Sequence, residues 1–252
     1  MLETPASARP TTLVTGASRG IGAAIADRLA ADGHDLALTF RTRTQEAEAV
    51  AARCRDQGTR VVLIQADFAD LDRTAEVVPE AIAALGSLTG LVNNAGITGR
   101  IGPFLEATGE EDERVFRINV LAPLLLTRAA IAHMTTTGGG GAIVNISSGA
   151  ATSGAAHTYI SYAMSKAALN ALTIGAAKEF AAQGVRINTV SPGTTFTEIH
   201  AAGGRPNAPE ERRSRLPMGR AAHPHEIAGA VAYLLSADAS YTNGADIRIT
   251  GG

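Results

Sequence analysis

Short apolar runs rich in Val, Ile, Leu and Thr recur along this chain between longer segments of helical period, and this alternation restricts the fold more than any other feature. A strand that is apolar on both faces must be covered on both, the condition of a parallel sheet with helices above and below. The strand candidates are Thr11 to Val14, Leu36 to Phe40, Val61 to Gln65, Gly90 to Val92, Ala142 to Ile146, Arg186 to Val190 and Asp246 to Ile249. Between them, Ile21 to Ala31, Thr44 to Gln57, Leu71 to Leu85, Glu111 to Met134, Tyr162 to Gln183 and His225 to Leu235 have the length and the Ala, Leu and Glu content of helices. Gly33, Gly58 and Gly184 supply helix stops, and Thr135 to Gly141 reads as an exposed turn. Seven strands predict one doubly wound α/β domain over residues 1–252, with a seven-stranded parallel sheet. The one long irregular stretch, Ser191 to Arg220, follows a strand and is the expected substrate loop.

Charge and cysteine content narrow the function classes. Lys and Arg number 22 against 24 Asp and Glu, with no long run of one sign, so neither nucleic acid nor an anionic membrane is an expected partner. A single cysteine, Cys54, has no disulfide partner and no ligand neighbour at metal spacing, which points to the cytoplasm. The opening residues MLETPASARP lack the positive and apolar regions of a secretory leader, and no 18 uncharged apolar residues run together. His223 and His225 have no third ligand and read as a helix start, so no metal is expected.

The most informative local motif is TGASRGIG, Thr15 to Gly22, placed immediately after the first strand and opening the first helix. Glycines there permit a tight turn and close backbone approach, and a helix N-terminus offers free N–H groups to a pyrophosphate. The spacing Gly16, Gly20, Gly22 departs from GxGxxG by two residues and resembles the TGxxxGIG motif of the short-chain dehydrogenase/reductase family. The resemblance continues through Asp67, Asn93-Asn94-Ala95-Gly96, Asn119, Asn145-Ile146-Ser147-Ser148, Tyr162 with Lys166, Pro192-Gly193 with Thr197, and Gly251-Gly252. It implies a Rossmann-like fold and a nicotinamide cofactor held by Gly16, Ser18, Arg19, Gly20, Ile21, Gly22, Phe40, Arg41, Asp67, Phe68, Asn94, Ala95, Gly96, Tyr162, Lys166, Pro192, Gly193, Thr195 and Thr197. Asp67 resembles the residue that contacts the adenine, and Thr195 and Thr197 the segment at the nicotinamide end.

A site selective for NAD places a carboxylate at the end of the second strand, against the ribose 2′-hydroxyl. Here Phe40 ends that strand, Arg41 follows it, and Arg19 lies inside the glycine turn. If the family geometry holds, both arginines project toward the adenosine ribose, which favours NADP(H) over NAD(H); the alternative is that they are ordinary surface arginines. Arg43 is a third cation nearby, less well placed by the resemblance.

Tyr162 and Lys166 are four apart in a helical stretch, so their side chains leave one face a turn apart. An isolated phenol has a pKa near 10, and a nearby ammonium is expected to lower it enough for general acid or base chemistry near neutrality. By itself the spacing equally describes a routine surface pair. The resemblance makes Ser148, Tyr162, Lys166 and Asn119 the catalytic set. Ser148 precedes Tyr162 by one residue more than the commonest family interval, leaving Ser147 as the alternative serine, while Tyr159 lacks a Lys four residues on and is read as a pocket wall. Asn119, in the long helix, either satisfies neighbouring backbone or, by the resemblance, kinks the helix and positions a water that relays protons from Lys166.

The implied reaction is reduction of a ketone, aldehyde or 3-oxoacyl compound by NADPH, reversible to oxidation of an alcohol. The alternatives are an NAD-dependent dehydrogenase of a sugar, polyol or secondary alcohol, or a dinucleotide-binding protein without catalysis. Further wall candidates are Ile97, Phe104, Gly149, His157, Tyr159 and Phe196. Arg205, Arg212, Arg213, Arg215 and Arg220 in the substrate loop suggest an acidic substrate or an acyl-carrier partner, against a solvated loop balanced by Glu198, Glu210 and Glu211. Family members are usually tetramers, paired through the two long helices, and the small residues Ala167, Ala168, Ala171, Gly175 and Ala176 suit a homotetramer.

Overall fold

The computed structural model describes residues 9–137 and 139–252. The leader reading of the first residues, and the centre of the glycine turn at position 138, therefore lie almost wholly outside the described part. Strands β1 (Thr11–Val14), β2 (Asp35–Phe40), β3 (Val61–Gln65), β4 (Gly90–Asn93), β5 (Gly141–Ile146), β6 (Val185–Pro192) and β7 (Asp246–Ile249) form one sheet in the order β3-β2-β1-β4-β5-β6-β7. Every pairing is parallel. Helices α1 (Gly20–Ala31), α2 (Thr44–Arg55), α3 (Leu71–Leu85), α4 (Gly109–Phe116), α5 (Ala122–Thr136), α6 (Ala150–Ser153), α7 (Ile160–Phe180), α8 (Ile199–Ala202), α9 (Ala208–Arg212) and α10 (Pro224–Leu235) account for most of the rest.

Alternating side chains of each strand enter two separate cores. Leu13, Ile64, Leu91, Ile143 and Ile187 pack with residues of α3, α5 and α7, while Val14, Leu36, Leu38, Val92, Val144 and Val190 pack with α1, α2 and α10. This double burial is why the strands read as continuous apolar runs and not as alternating ones. The strand order reverses between β1 and β4, and a crevice opens there outside the carboxyl ends of the strands.

Two expectations are corrected. The single helix over Glu111 to Met134 is interrupted by a π-helical turn, Arg117–Leu121, that contains Asn119 and joins α4 to α5. The stretch expected to be an irregular loop after β6 instead folds into α8, α9 and a 3₁₀ turn, Arg213–Arg215. The helical stretch Gly109–Thr136, π turn included, holds a portion apolar and long enough to cross a membrane by length and composition, and half of that portion is buried in this fold. Its apolarity serves the core.

Candidate active site

The turn after β1 is fastened to the end of β4. The Thr15 hydroxyl donates to the Val92 carbonyl at 3.2 Å and accepts from the Asn94 and Ala95 backbone N–H groups, each at 2.9 Å. The Asn94 side-chain amide donates to the carbonyls of Thr15 and Gly16 at 2.8 and 3.1 Å. Gly16 has φ +65°, and a Cβ on it would stand 3.0 Å from the Ala95 Cα. A Cβ on Gly22 would collide with the Gly16 carbonyl oxygen. Only glycine fits either position. The N-terminus of α1 has no side-chain cap and no acidic residue in its first turn, so its positive end opens on the crevice.

From this turn a cavity of about 950 Å³ runs to the start of α7. Every residue named above as cofactor-binding lines it, as do Ser148, Tyr162 and Lys166. Asn119 is the exception among the expected site residues. It is fully buried behind Gly96, its carbonyl oxygen accepting from the Ile97 N–H at 3.0 Å and its amide donating to the Ile97 carbonyl at 2.8 Å and the Ser165 hydroxyl at 3.0 Å. Its side chain thus ties the π turn to the segment after β4, the structural half of its two readings.

At the glycine end, the pairing of cations differs from the expected one. Arg19 and Arg43 converge on the Glu198 carboxylate, Arg43 at 3.0 Å, whereas Arg41 faces Asp67 at 3.7 Å. Arg114, which sequence reasoning missed, also approaches Asp67, at 3.9 Å. Two guanidinium groups that share one carboxylate can also share another anion, and because these pairs are exposed the exchange costs little.

At the other end, α7 presents Tyr162 and Lys166 one turn apart, both almost wholly buried. The Lys166 ammonium lies 5.7 Å from the centre of the Tyr162 ring and donates to the Ile146 carbonyl at 2.8 Å. The two serine candidates separate. Ser147 donates to the Lys166 carbonyl at 3.1 Å and points into the protein, while the Ser148 hydroxyl faces the Tyr162 phenol. The expected lowering of the phenol by Lys166 is not what the structure gives. Burial pushes Tyr162 up to about 12, with Ser148 pulling weakly the other way, and burial pushes Lys166 down to about 8. Desolvation outweighs attraction because both groups leave water together and the ammonium is spent on a carbonyl. At neutral pH the phenol therefore carries its proton.

Beneath the strand ends runs a buried polar ladder. The Asn93 amide donates to the Asn145 carbonyl oxygen at 2.8 Å and to the Thr127 hydroxyl at 3.1 Å. The Asn145 amide donates to Thr173 at 2.9 Å, and Thr189 donates to Thr173 at 2.8 Å. The ladder binds β4, β5 and β6 to α5 and α7, fixing the elements that carry Asn94, Ser148 and Tyr162. Its sequence signal was polar residues at strand positions that should be apolar.

The wall beyond Tyr162 contains Ile97, Gly149 and Tyr159 as expected. Phe104 is instead exposed and Phe196 packs on His223, and with His157 they lie outside this wall. His200 and Thr158, unforeseen, belong to it. Of the five loop arginines, Arg205 pairs with Glu211, Arg213 donates to the Gly219 carbonyl at 3.0 Å and Arg220 grips Glu226 at 2.7 Å. Only the Arg205–Glu211 pair is one the solvated-loop reading names, since Glu198 serves Arg19 and Arg43 and Glu226 belongs to α10. Arg212 differs: it turns into the cavity and donates to the Tyr159 hydroxyl at 3.1 Å.

Comparison with known proteins places this site in context. A family model described as Enoyl-(Acyl carrier protein) reductase matches residues 16–252. The chain is 39% identical over 242 residues to the uncharacterized oxidoreductase YgfF of Escherichia coli (strain K12), covering 95% of this chain and 98% of that one. A short chain dehydrogenase from Burkholderia cenocepacia J2315, solved in complex with NADP, superposes with a TM-score of 0.89 at 37% identity, covering 96% of this chain and 97% of that one. A blue fluorescent protein from a metagenomic library, solved in complex with NADPH, gives a TM-score of 0.88 at 38% identity over the same shares.

Proposed function

This chain belongs to the short-chain dehydrogenase/reductase family of oxidoreductases, and on that premise we propose that it uses NADPH to reduce a carbonyl compound to an alcohol, with Tyr162 as the general acid. The observation that carries the reading is geometric: Tyr162, faced by Ser148 and one helical turn from Lys166, stands at the far end of a cleft whose near end is a glycine cradle. Reduction of a carbonyl consumes a proton, and a group that carries one at neutral pH suits that direction.

The residues fit the dinucleotide on three counts. Gly16 and Gly22 leave a cradle that any Cβ would fill, the uncapped start of α1 offers its positive end to a pyrophosphate, and Arg19 with Arg43 already gathers one carboxylate as a phosphate would be gathered. No carboxylate ends β2, where Phe40 stands, and the exposed Glu198 carboxylate now held by Arg19 and Arg43 would yield its place to a 2′-phosphate. When bound, NADPH supplies the hydride. Ser148 holds the carbonyl oxygen beside Tyr162, which donates its proton as negative charge develops on that oxygen. Lys166, still largely protonated at neutral pH, stabilises the phenolate left behind and would grip the ribose of the nicotinamide. Pro192, Gly193 and Thr195 line the cleft after β6, and Thr197 reaches across it to Gly20 of the glycine turn.

The assembly reading is a homotetramer in the cytoplasm. Leu121, Met164 and Ile174 on the two long helices are exposed apolar side chains that a second copy would cover, and light scattering on a sizing column tests it. The reaction is tested by following absorbance at 340 nm with a panel of aldehydes, ketones, quinones and β-ketoesters, with NADPH and NADH in parallel. Turnover with NADPH supports the reading. Oxidation of sugars or polyols with NAD alone would replace it.

A further inference from the structure

Six arginines line the cavity: Arg19, Arg41, Arg43, Arg100, Arg114 and Arg212. Among the described residues, five of them reach a carboxylate within 4.0 Å, and Arg212 does not. It is half-buried, at the end of α9, and its guanidinium sits 5.8 Å from the centre of the Tyr159 ring with one N–H on the Tyr159 hydroxyl. The Tyr159 ring in turn meets the Tyr162 ring edge to face, centres 5.1 Å apart. The unpaired cation is thus one aromatic ring away from the phenol, on the side away from the glycine turn. Beside it in the same wall, His200 is more than nine-tenths buried with its Nδ1 unpartnered.

We propose that Arg212 anchors a carboxylate on the substrate, so that the compound reduced is an oxo acid whose carbonyl reaches Ser148 and Tyr162 while its acid group rests on Arg212. A half-buried guanidinium keeps most of its donors free in this position, since Tyr159 takes only one, and a planar carboxylate matches two of the others. Burial lowers the His200 pKa, and Arg212 and Arg205 lower it further, so this imidazole stays neutral and Arg212 is left as the cation of this part of the wall. The remaining loop arginines are satisfied within the loop or lie outside the cavity, so this one position concentrates the attraction.

The inference rests on the carbonyl-reductase reading, and its test separates the two. Reduction rates with NADPH are measured for oxo acids of increasing chain length and for their methyl esters, with the wild type, Arg212→Gln, Arg212→Lys and the outlying control Arg215→Gln. The wild type is expected to prefer acid over ester by about 10- to 100-fold, mostly in KM. Arg212→Gln should collapse that ratio toward one, Arg212→Lys should restore part of it, and Arg215→Gln should leave it unchanged. If Arg212 merely clamps the loop to Tyr159, Tyr159→Phe will lower acid and ester turnover alike and Arg212→Gln will copy it, which overturns the anchor. A wild-type ratio near one also overturns it. Failure to reduce any carbonyl overturns the reductase reading instead, and calorimetric titration of the corresponding hydroxy acid into NADPH-loaded protein then judges the anchor alone: weaker binding to Arg212→Gln supports it, equal binding does not.

Discussion

At the glycine-turn end of the cleft the floor is main chain and hydrogen-bonded amides, beneath the exposed arginines Arg19, Arg41 and Arg43, with Thr15 and Asn94 lashing the turn to β4 and the ladder of Asn93, Asn145 and Thr173 stiffening the sheet below. Across the cleft, the segment after β6 is held by exposed ion pairs such as Arg205 with Glu211, and by short helices of four and five residues. Buried hydrogen bonds are costly to break because the orphaned group cannot return to water, whereas exposed ion pairs exchange partners with little loss. The floor of the glycine-turn end is therefore held rigidly, and the segment after β6 loosely.

The largest expected effect tests the machinery where the two ends meet. Tyr162→Phe should lower turnover by about 10² to 10⁴-fold while leaving NADPH binding, read by cofactor fluorescence, nearly intact. Equal turnover in that variant would remove the proton donor from the account. Next, Asn145→Ala should cost about 1–3 kcal/mol in urea unfolding, since the Asn93 amide and the Thr173 hydroxyl lose a buried partner. A loss no greater than that of a loop ion pair would erase the contrast in rigidity. The double variant Arg19→Ala with Arg43→Ala should reduce the preference for NADPH over NADH by about tenfold or more, measured as a ratio of kcat/KM. An unchanged ratio would mean these cations serve only Glu198.

The pH profile sharpens the same contrast. Lys166 carries its charge below about 8 and loses it above, and Tyr162 keeps its proton up to about 12. Reduction should therefore be flat in kcat/KM on the acid side of 8 and fall on the alkaline side, as the ammonium that steadies the phenolate is lost. Alcohol oxidation, which needs the phenolate, should gain from rising pH until the ammonium is gone. A reduction profile level through pH 10 would show that Lys166 does not act through its charge. The smallest effect is expected at the loop: Glu211→Ala should change stability by no more than about 1 kcal/mol.

The glycine turn, the strands and the Tyr162 and Lys166 pair were legible because each is a local pattern, set by residues near one another in the chain. Even the alternating burial of β1 and β2 follows from strand geometry. The chain pattern is silent where distant segments meet. Arg41 and Arg43 both line the cavity, and which of them joins Arg19 depends on Glu198, which arrives from the far side of the cleft. The family resemblance points to Ser148, and α7 shows that Ser148 and not Ser147 faces the phenol. Phe104, His157 and Phe196 lie near the motifs in the chain, but the packing turns them away from the cavity.

The pKa of Tyr162 is the clearest case. Spacing put a cation one turn away and so argued for a lowered value, but the sign of the shift depends on how much water the phenol has lost, which no interval in the chain encodes. The sequence alone determined the doubly wound sheet, the glycine turn after its first strand and the pair of groups one helical turn apart, because periodicity and steric necessity act over a few residues. Only the tertiary structure decided which arginines converge, which serine faces the phenol and which way burial moves its proton, because those depend on distances between segments and on the exclusion of solvent.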